Sequence, residues 1–250
     1  MTELDWTSDE MMAVAAAREL RDGTVCFVGI GLPSTAANLA RVTHAQRAVL
    51  IYESGCIGAK PDRIPPSIGD GVLSRSADAV VPVPEIFTYW LQAGRIDVGF
   101  LGAAQVDRWG NINTTVVGDY AAPTVRLPGA GGAPEIATSC GRVIITLRHS
   151  ERALVDKVDF VTSFGHGNGT RTRRELGLPG AGPQVIITDL GVMRYDEAGA
   201  EFVLTEVHPG VSVDDVIDKT GWALRVAPAL SQTQPPNAGE LAALRSFVRG

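Results

Sequence analysis

Cysteine is scarce in this sequence. The three present, Cys26, Cys56 and Cys140, are odd in number and widely spaced, and none forms a CxxC pair. That excludes a disulfide framework, offers no zinc knuckle and fits a reducing, cytoplasmic setting. Basic charge is also short: 22 Lys and Arg stand against 28 Asp and Glu, a net charge of −6. A general nucleic-acid binder is not expected from that balance. Long apolar runs are missing, and no stretch reaches the ~18 residues a membrane span needs. The opening MTELDWTSDEMM has no basic region followed by an apolar core, so no secretory signal is expected. The four histidines, His44, His149, His166 and His208, show no HxxxH spacing, so no metal site is expected. A GxSxG elbow is absent as well, which leaves a serine hydrolase unsupported.

What is present is an ordinary globular composition, 45% apolar and 20% charged over 250 residues, enough chain for a substantial core. Thr7 and Glu10 have capping-box spacing, so an Ala/Met-rich helix is expected to about Arg21, where Asp22-Gly23 breaks it. TVCFVGI (24–30) is β-branched and apolar on both faces, as a central parallel strand is. Pro33 suits the first turn of a helix running to about Thr43, and the next strand is Val49-Leu50-Ile51-Tyr52. These segments make a βαβ unit. Residues 54–76 read as a long Gly/Pro-rich loop, a length that is usually functional or mobile. A helix over 84–92, strands over 97–106, 143–147 and 185–188, and a last helix over 239–248 with Leu241, Leu244 and Val248 at core spacing complete the pattern. No repeat or linker interrupts it, so residues 1–250 read as a single α/β domain with loop elaborations.

Three constellations carry possible chemistry. The strand at 49–52 ends on Glu53, and Ser54-Gly55 turns the chain at once. Strand ends facing a crevice are where open α/β sheets place ligands. An ionised Glu there is solvated at a rim, paired with a cation, or kept to react. Gly29-Ile30-Gly31-Leu32-Pro33-Ser34 after the first strand imitates a dinucleotide fingerprint, but Ser34 replaces the third glycine. Pro128-Gly129-Ala130-Gly131-Gly132-Ala133 is a small-residue loop whose backbone amides can approach a ligand or oxyanion; otherwise it is a tight connection, and it is not a P-loop. The amide-rich turn from Gln105 through Asn111 to Asn113 either orients a carboxylate or satisfies its own backbone. Cys56 either lines a pocket with Glu53 or packs as a small apolar residue. The run Arg171-Thr172-Arg173-Arg174 reads as a solvated loop face that can meet an anion, and His166 between two glycines reads as a flexible loop residue.

Taken together, VCFVGIGLPS, YESG, LGAAQVDRWGNINT, LPGAGGAPEIA, LGLPG and VHPGV make the chain resemble the B subunits of class I coenzyme A transferases over nearly its whole length. Within that family it is most similar to the branch acting on 3-oxoadipate in aromatic-compound breakdown, and glutaconate enzymes are more distant. The resemblance implies a three-layer α/β/α open sheet, Rossmann-like but not dinucleotide-binding. It implies Glu53 as the covalent catalytic residue. It implies a substrate and coenzyme A site at Gly29, Gly31, Gln105, Gly129, Ala130, Gly131 and Gly132. Coenzyme A thioester is then a substrate, and no cofactor or metal is expected. The implied partner is an A subunit in an αβ or α2β2 heteromer, acting on acyl-CoA and dicarboxylates, with no nucleic acid and no membrane. Lys60, Arg63 and Arg171 are candidate cations for a substrate's distal carboxylate. A hydrolase or decarboxylase on the same fold, and a ligand sensor, are the competing readings.

Overall fold

A computed structural model describes residues 5–167 and 170–248. The chain runs α1 (Ser8–Arg18), β1 (Val25–Val28), α2 (Leu32–Val42), β2 (Val49–Tyr52), β3 (Cys56–Ile57), α3 (Gly71–Ser76) and β4 (Ala79–Val80). Then come α4 (Val83–Glu85), continued by a π-helical turn over Ile86–Leu91, β5 (Val98–Gly102), β6 (Gln105–Val106), β7 (Ile112–Asn113), β8 (Val116–Gly118) and β9 (Pro123–Arg126). The remainder is α5 (Ala133–Ser139), β10 (Arg142–Thr146), β11 (Pro183–Ile187), β12 (Gly191–Asp196), β13 (Glu201–Val207), α6 (Val213–Asp218), β14 (Arg225–Gln232) and α7 (Ala238–Val248). Ten strands form one sheet in the order β14-β13-β12-β11-β10-β5-β1-β2-β3-β4. Its centre, from β11 to β2, is parallel.

The pleat of these central strands sends alternate side chains to two cores. Cys26, Val28, Leu50, Phe100 and Ile144 face one layer, which α1, α2 and α7 close with Met11, Val14, Leu39 and Leu244. Phe27, Ile51, Leu101 and Ile145 face the other, closed by Ile86 and Leu91 of the π-helical turn, Ile136 of α5 and Val216 of α6. Helices on both faces of a largely parallel sheet make the expected three-layer α/β/α architecture. Burial of each large side chain contributes about 1.5–3 kcal/mol, which is why strands apolar on both faces settle at the centre. Thr7 and Glu10 form the expected capping box of α1, and Leu241 and Leu244 of α7 are buried. The side chain of Val248 lies outside the described residues.

The connections set where a ligand can enter. From β1 the chain crosses through α2 to β2 on one side. From β5, on the other side of β1, it reaches β10 by way of α5. The crossovers therefore diverge at β1, and a crevice opens at the carboxyl ends of β5, β1 and β2, the topological switch point of the sheet.

The structure corrects several expectations. The strand over 97–106 stops at Gly102. Ala104 N–H bonds to Asn113 O instead, and β6 pairs with β7 in a separate hairpin. The helix over 84–92 is mainly π-helical, with Gln92 N–H donating to Phe87 O and Arg95 N–H to Trp90 O. Arg173 is not a solvated loop charge: it is buried and donates to the carbonyls of Phe164, Gly165, Ala137, Thr138 and Gly180. Desolvation pulls its pKa down to about 10. His166 is a packed residue, its ring stacked on Tyr195 at 3.4 Å between centroids and bonded to Pro183 O. The sheet continues through β12, β13 and β14, strands that no sequence pattern marks. Pro228 lies within β14, a position tolerated because β14 is an edge strand.

Burial pushes the imidazoles of His149 and His166 down to about 4 and also lowers His208. His149 bridges the hydroxyls of Thr188 and Thr220, and His208 bridges the Thr233 hydroxyl and the Thr188 carbonyl, which suits neutral rings. An unfolded His titrates near about 6.5. Between the two values the unfolded chain binds protons that the folded chain does not, so this stability is complete above about pH 6.5 and is lost as pH falls toward about 4. The urea unfolding midpoint is expected to drop steadily from about pH 7.5 to about pH 4.5. A midpoint constant across that window would show that the three rings are not held neutral by the fold.

Candidate active site

Glu53 follows directly on β2. Tyr52 before it is fully buried, its hydroxyl within 3.1 Å of Ser34 Oγ and accepting from Asn38 Nδ2 at 3.0 Å. That network ties β2 to α2 and fixes the strand end from which Glu53 projects. The turn then closes tightly. Gly55 N–H donates to Tyr52 O and Val81 N–H to Gly55 O, each at 3.0 Å. Gly55 has φ +99°, and a Cβ there would lie 1.9 Å from Val81 O, so only glycine fits. Glu53 is half-buried. Among the described residues its carboxylate accepts no hydrogen bond and joins no ion pair.

The small-residue loop comes to the same place from the other side of β1. Thr114 holds its start at two points: Gly129 N–H donates to Thr114 O at 2.8 Å, and Thr114 Oγ1 donates to Gly129 O at 2.7 Å. The loop then enters α5. Ala133 N–H turns back to Ala130 O, whereas the N–H groups of Ala130, Gly131 and Gly132 donate to no acceptor among the described residues. These are orphan donors at a helix start, suited to a developing negative charge. A Cβ on Gly132 would stand 3.2 Å from Glu53 Oε1 and 2.8 Å from the Phe87 ring. The backbone of the loop therefore lies against the carboxylate, with Phe87 of the π-helical turn behind it. Arg173 holds the far end of α5 through Ala137 and Thr138, so the helix carrying the loop is anchored at both ends.

Glu53 and this loop line one cleft of about 650 Å³, together with Gly29, Ile30, Phe27, Phe100, residues 101–104, Thr114 and Ile68. Apart from Glu53, no described residue of the lining is charged. Among the described residues no group of three or more His, Cys, Asp or Glu is placed to hold a metal.

Of the residues singled out from the sequence, Glu53, Gly29, Gly129, Ala130, Gly131 and Gly132 meet in the cleft. Gly31 does not line it; at φ +82° it caps α2. Gln105 is buried beside the cleft wall with its amide already engaged: Oε1 accepts from Asn113 and Asp159 N–H, and Nε2 donates to Asp159. It holds the hairpin in place and does not face the cleft. The amide-rich turn satisfies itself. Asp107 accepts from Trp109 and Asn111, Asn111 also bonds Gly165 and Gly167, and burial raises the Asp107 carboxyl to about 6. Cys56 packs in the core and does not line the cleft. Lys60 is paired with Asp78 at 2.6 Å and Arg63 with Asp70 at 2.9 Å, both on a neighbouring cleft; Arg171 does not line the Glu53 cleft. The loop over 54–76 is ordered around α3, which Asp70 caps, and it contributes Ile68 to the cleft. Phe87 and Thr114 were not anticipated. Nothing in their local sequence marks them, because their contacts are made across the sheet.

The model of the coenzyme A transferase family matches residues 9–219. The chain is 62% identical to the B subunit of 3-oxoadipate CoA-transferase from Pseudomonas knackmussii, over 97% of this chain and 93% of that one. Its structure is similar to that of glutaconate coenzyme A-transferase from Acidaminococcus fermentans, with a TM-score of 0.89 and 34% identity over 96% of this chain and 94% of that one. It is also similar to the decarboxylase AibA/AibB, with a TM-score of 0.84 and 29% identity over 97% and 95% of the two chains.

The contact geometry marks Gly132 as the sensitive position of the loop, since a Cβ on Gly131 would meet nothing within 4 Å. Gly132→Val is expected to keep the wild-type unfolding midpoint and to lower kcat/KM for CoA transfer by roughly 10²-fold, the scale of a lost oxyanion-hole donor. A folded Gly132→Val enzyme with wild-type kcat/KM would make the loop a connector only.

Proposed function

The chain belongs to the coenzyme A transferase family, and on that premise we propose that it is the B subunit of a 3-oxoadipate CoA-transferase, with succinyl-CoA as donor. The single observation that carries the catalytic reading is the Glu53 carboxylate, unpartnered among the described residues and set against the free loop amides. The high identity to a 3-oxoadipate enzyme supports the choice of acceptor.

Transfer of CoA between two acids without hydrolysis requires the thioester energy to be kept in a covalent bond. Glu53 attacks the donor thioester carbonyl, forming a mixed anhydride and releasing CoA thiolate. The thiolate attacks the Glu53 carbonyl of that anhydride, giving a glutamyl-CoA thioester and the free donor acid. The acceptor carboxylate attacks this thioester, again releasing thiolate and forming an anhydride with Glu53. Thiolate attack on the acceptor's carbonyl then yields the new acyl-CoA and restores the Glu53 carboxylate. Each addition places negative charge on an oxygen beside Glu53, where the N–H groups of Ala130, Gly131 and Gly132 have no acceptor among the described residues. A carboxylate already hydrogen-bonded or ion-paired would be a weaker nucleophile. The apolar walls from Phe27, Phe100 and Ile68 help to keep water from the anhydride and the thioester. Coenzyme A is consumed and regenerated as a substrate, and no resident cofactor enters this scheme. The active unit is a heteromer with an A subunit, αβ or α2β2.

Two measurements test this reading. The assembled complex, incubated with succinyl-CoA and then borohydride, is expected to carry the reduced modification on Glu53 in peptide mapping. Glu53→Ala is expected to lose at least about 10³-fold in turnover, the scale of removing a covalent nucleophile. An unlabelled Glu53 with full activity in Glu53→Ala would refute the mechanism. The purified chain alone is expected to be inactive in transfer and to gain activity on mixing with its A subunit, with mass determination giving the stoichiometry. Hydrolysis of acyl-CoA by the chain alone would instead indicate a self-contained hydrolase.

A further inference from the structure

The proposed acceptor and donor acids each carry a second carboxylate, and no described residue of the cleft neutralises it. The lining consists of apolar and small residues, Thr114 and the Glu53 carboxylate, with no Lys, Arg or His among the described residues. Thr114 Oγ1 is already bonded to Gly129 O. The remaining donors, the N–H groups of Ala130, Gly131 and Gly132, lie beside Glu53, where the reacting carbonyl must sit. A distal carboxylate entering among Phe27, Phe100, Ile136 and Ile68 would thus be desolvated and unpaired, in the same cleft as a like charge, which is strongly unfavourable. The cations on the adjoining loop do not relieve this. Lys60 and Arg63 are held by Asp78 and Asp70, and with Arg75 they line a different cleft. Arg173 is committed to five backbone carbonyls.

The mouth of the cleft is built for a neighbour. Ile68, Val80, Val83 and Tyr89 are exposed apolar side chains, 40% to 60% accessible. They belong to the segments that flank Glu53: Val80 pairs with Cys56, Val81 N–H bonds Gly55 O, and Tyr89 lies on the π-helical turn that carries Phe87. An apolar rim around a cleft with an unmet need for positive charge fits a protein partner that brings a cation.

We propose that the A subunit docks on this rim and supplies the cation that holds the distal carboxylate, so that this chain performs the covalent chemistry and its partner selects the acid. The proposal rests on the CoA-transferase reading of Glu53. It places acceptor specificity outside this sequence, even though the nucleophile is inside it.

The test uses assembled complexes. This chain is paired with its own A subunit and with the A subunit of the glutaconate enzyme, and kcat/KM is measured for 3-oxoadipate and glutaconate. The ratio between the two acids is expected to shift toward glutaconate by about 10²-fold with the exchanged partner, the scale of gaining or losing a desolvated charge pair. An unchanged ratio overturns the proposal. A second measurement does not depend on the hybrid assembling. In the cognate complex Lys60→Gln, Arg63→Gln, Arg75→Gln and Arg171→Gln are expected to leave KM for 3-oxoadipate within about 3-fold, well below the effect of a lost charge pair. A rise of about 10²-fold in any of them, seen with 3-oxoadipate but not with a monocarboxylic 3-oxo acid, would place the cation in this chain and overturn the proposal. Borohydride trapping of Glu53 in the same cognate complex separates the two readings. Loss of trapping refutes the covalent mechanism, whereas intact trapping with a cation from this chain refutes only the division of labour.

Discussion

The site depends on one constraint: a carboxylate must stand at the end of a buried strand without being neutralised by its own protein. Carboxylates at such positions usually acquire a cation or several backbone donors, and each of those would lower their nucleophilicity. Here the strand end is fixed by other means. Tyr52 is anchored through its hydroxyl to Ser34 and Asn38 on α2, and Gly55 turns the chain where any other residue would strike Val81 O. Rigidity is thus imposed on both sides of Glu53 while the carboxylate stays uncommitted. The diverging crossovers on either side of β1 provide the crevice that keeps it accessible.

The second component of the site is held from a distance. The amides of residues 130–132 can serve as oxyanion donors only if their position relative to Glu53 is fixed before charge develops. Thr114 secures the start of the loop, and Arg173 secures the end of α5 by gathering carbonyls from the helix terminus and two other loops. Phe87 closes the gap behind Gly132. A π-helical turn, a distortion often found near functional sites, brings that ring into position. Pre-organisation here comes from packing and backbone hydrogen bonds, not from charge near the nucleophile.

The same architecture supports different reactions in similar structures, a CoA transferase and a decarboxylase among them. The sheet, the layers and the switch-point crevice therefore do not determine the chemistry. What this chain adds is local: a glutamate where β2 ends, glycine where the loop touches it, and a cleft whose other described residues are uncharged. The apolar rim around the mouth follows the same logic, since a site that holds reactive acyl intermediates must be closed by something.

Much of this was legible in the sequence because it depends on short-range patterns. Strands apolar on both faces are found in the middle of parallel sheets, so β1, β2, β10 and β11 could be placed from composition alone. Glu53-Ser54-Gly55 and the glycine loop stood out because a carboxylate after an apolar run and a run of small residues are both locally unusual. The edge strands β12 to β14 were not legible, since half-exposed strands and a proline at 228 blur the periodicity. The cations were misread for a similar reason. Sequence shows that Arg173, Lys60 and Arg63 are charged, but it does not show what lies opposite them. Tertiary structure decided that Arg173 turns inward to carbonyls 7 to 36 residues away, and that Lys60 and Arg63 are matched by aspartates. It decided too that Gln105 stabilises a hairpin while Phe87 and Thr114 shape the cleft. Which residues carry chemistry was written in local pattern. Which of them meet, and which are already occupied, depended on contacts between segments far apart in the chain, and no local pattern records those.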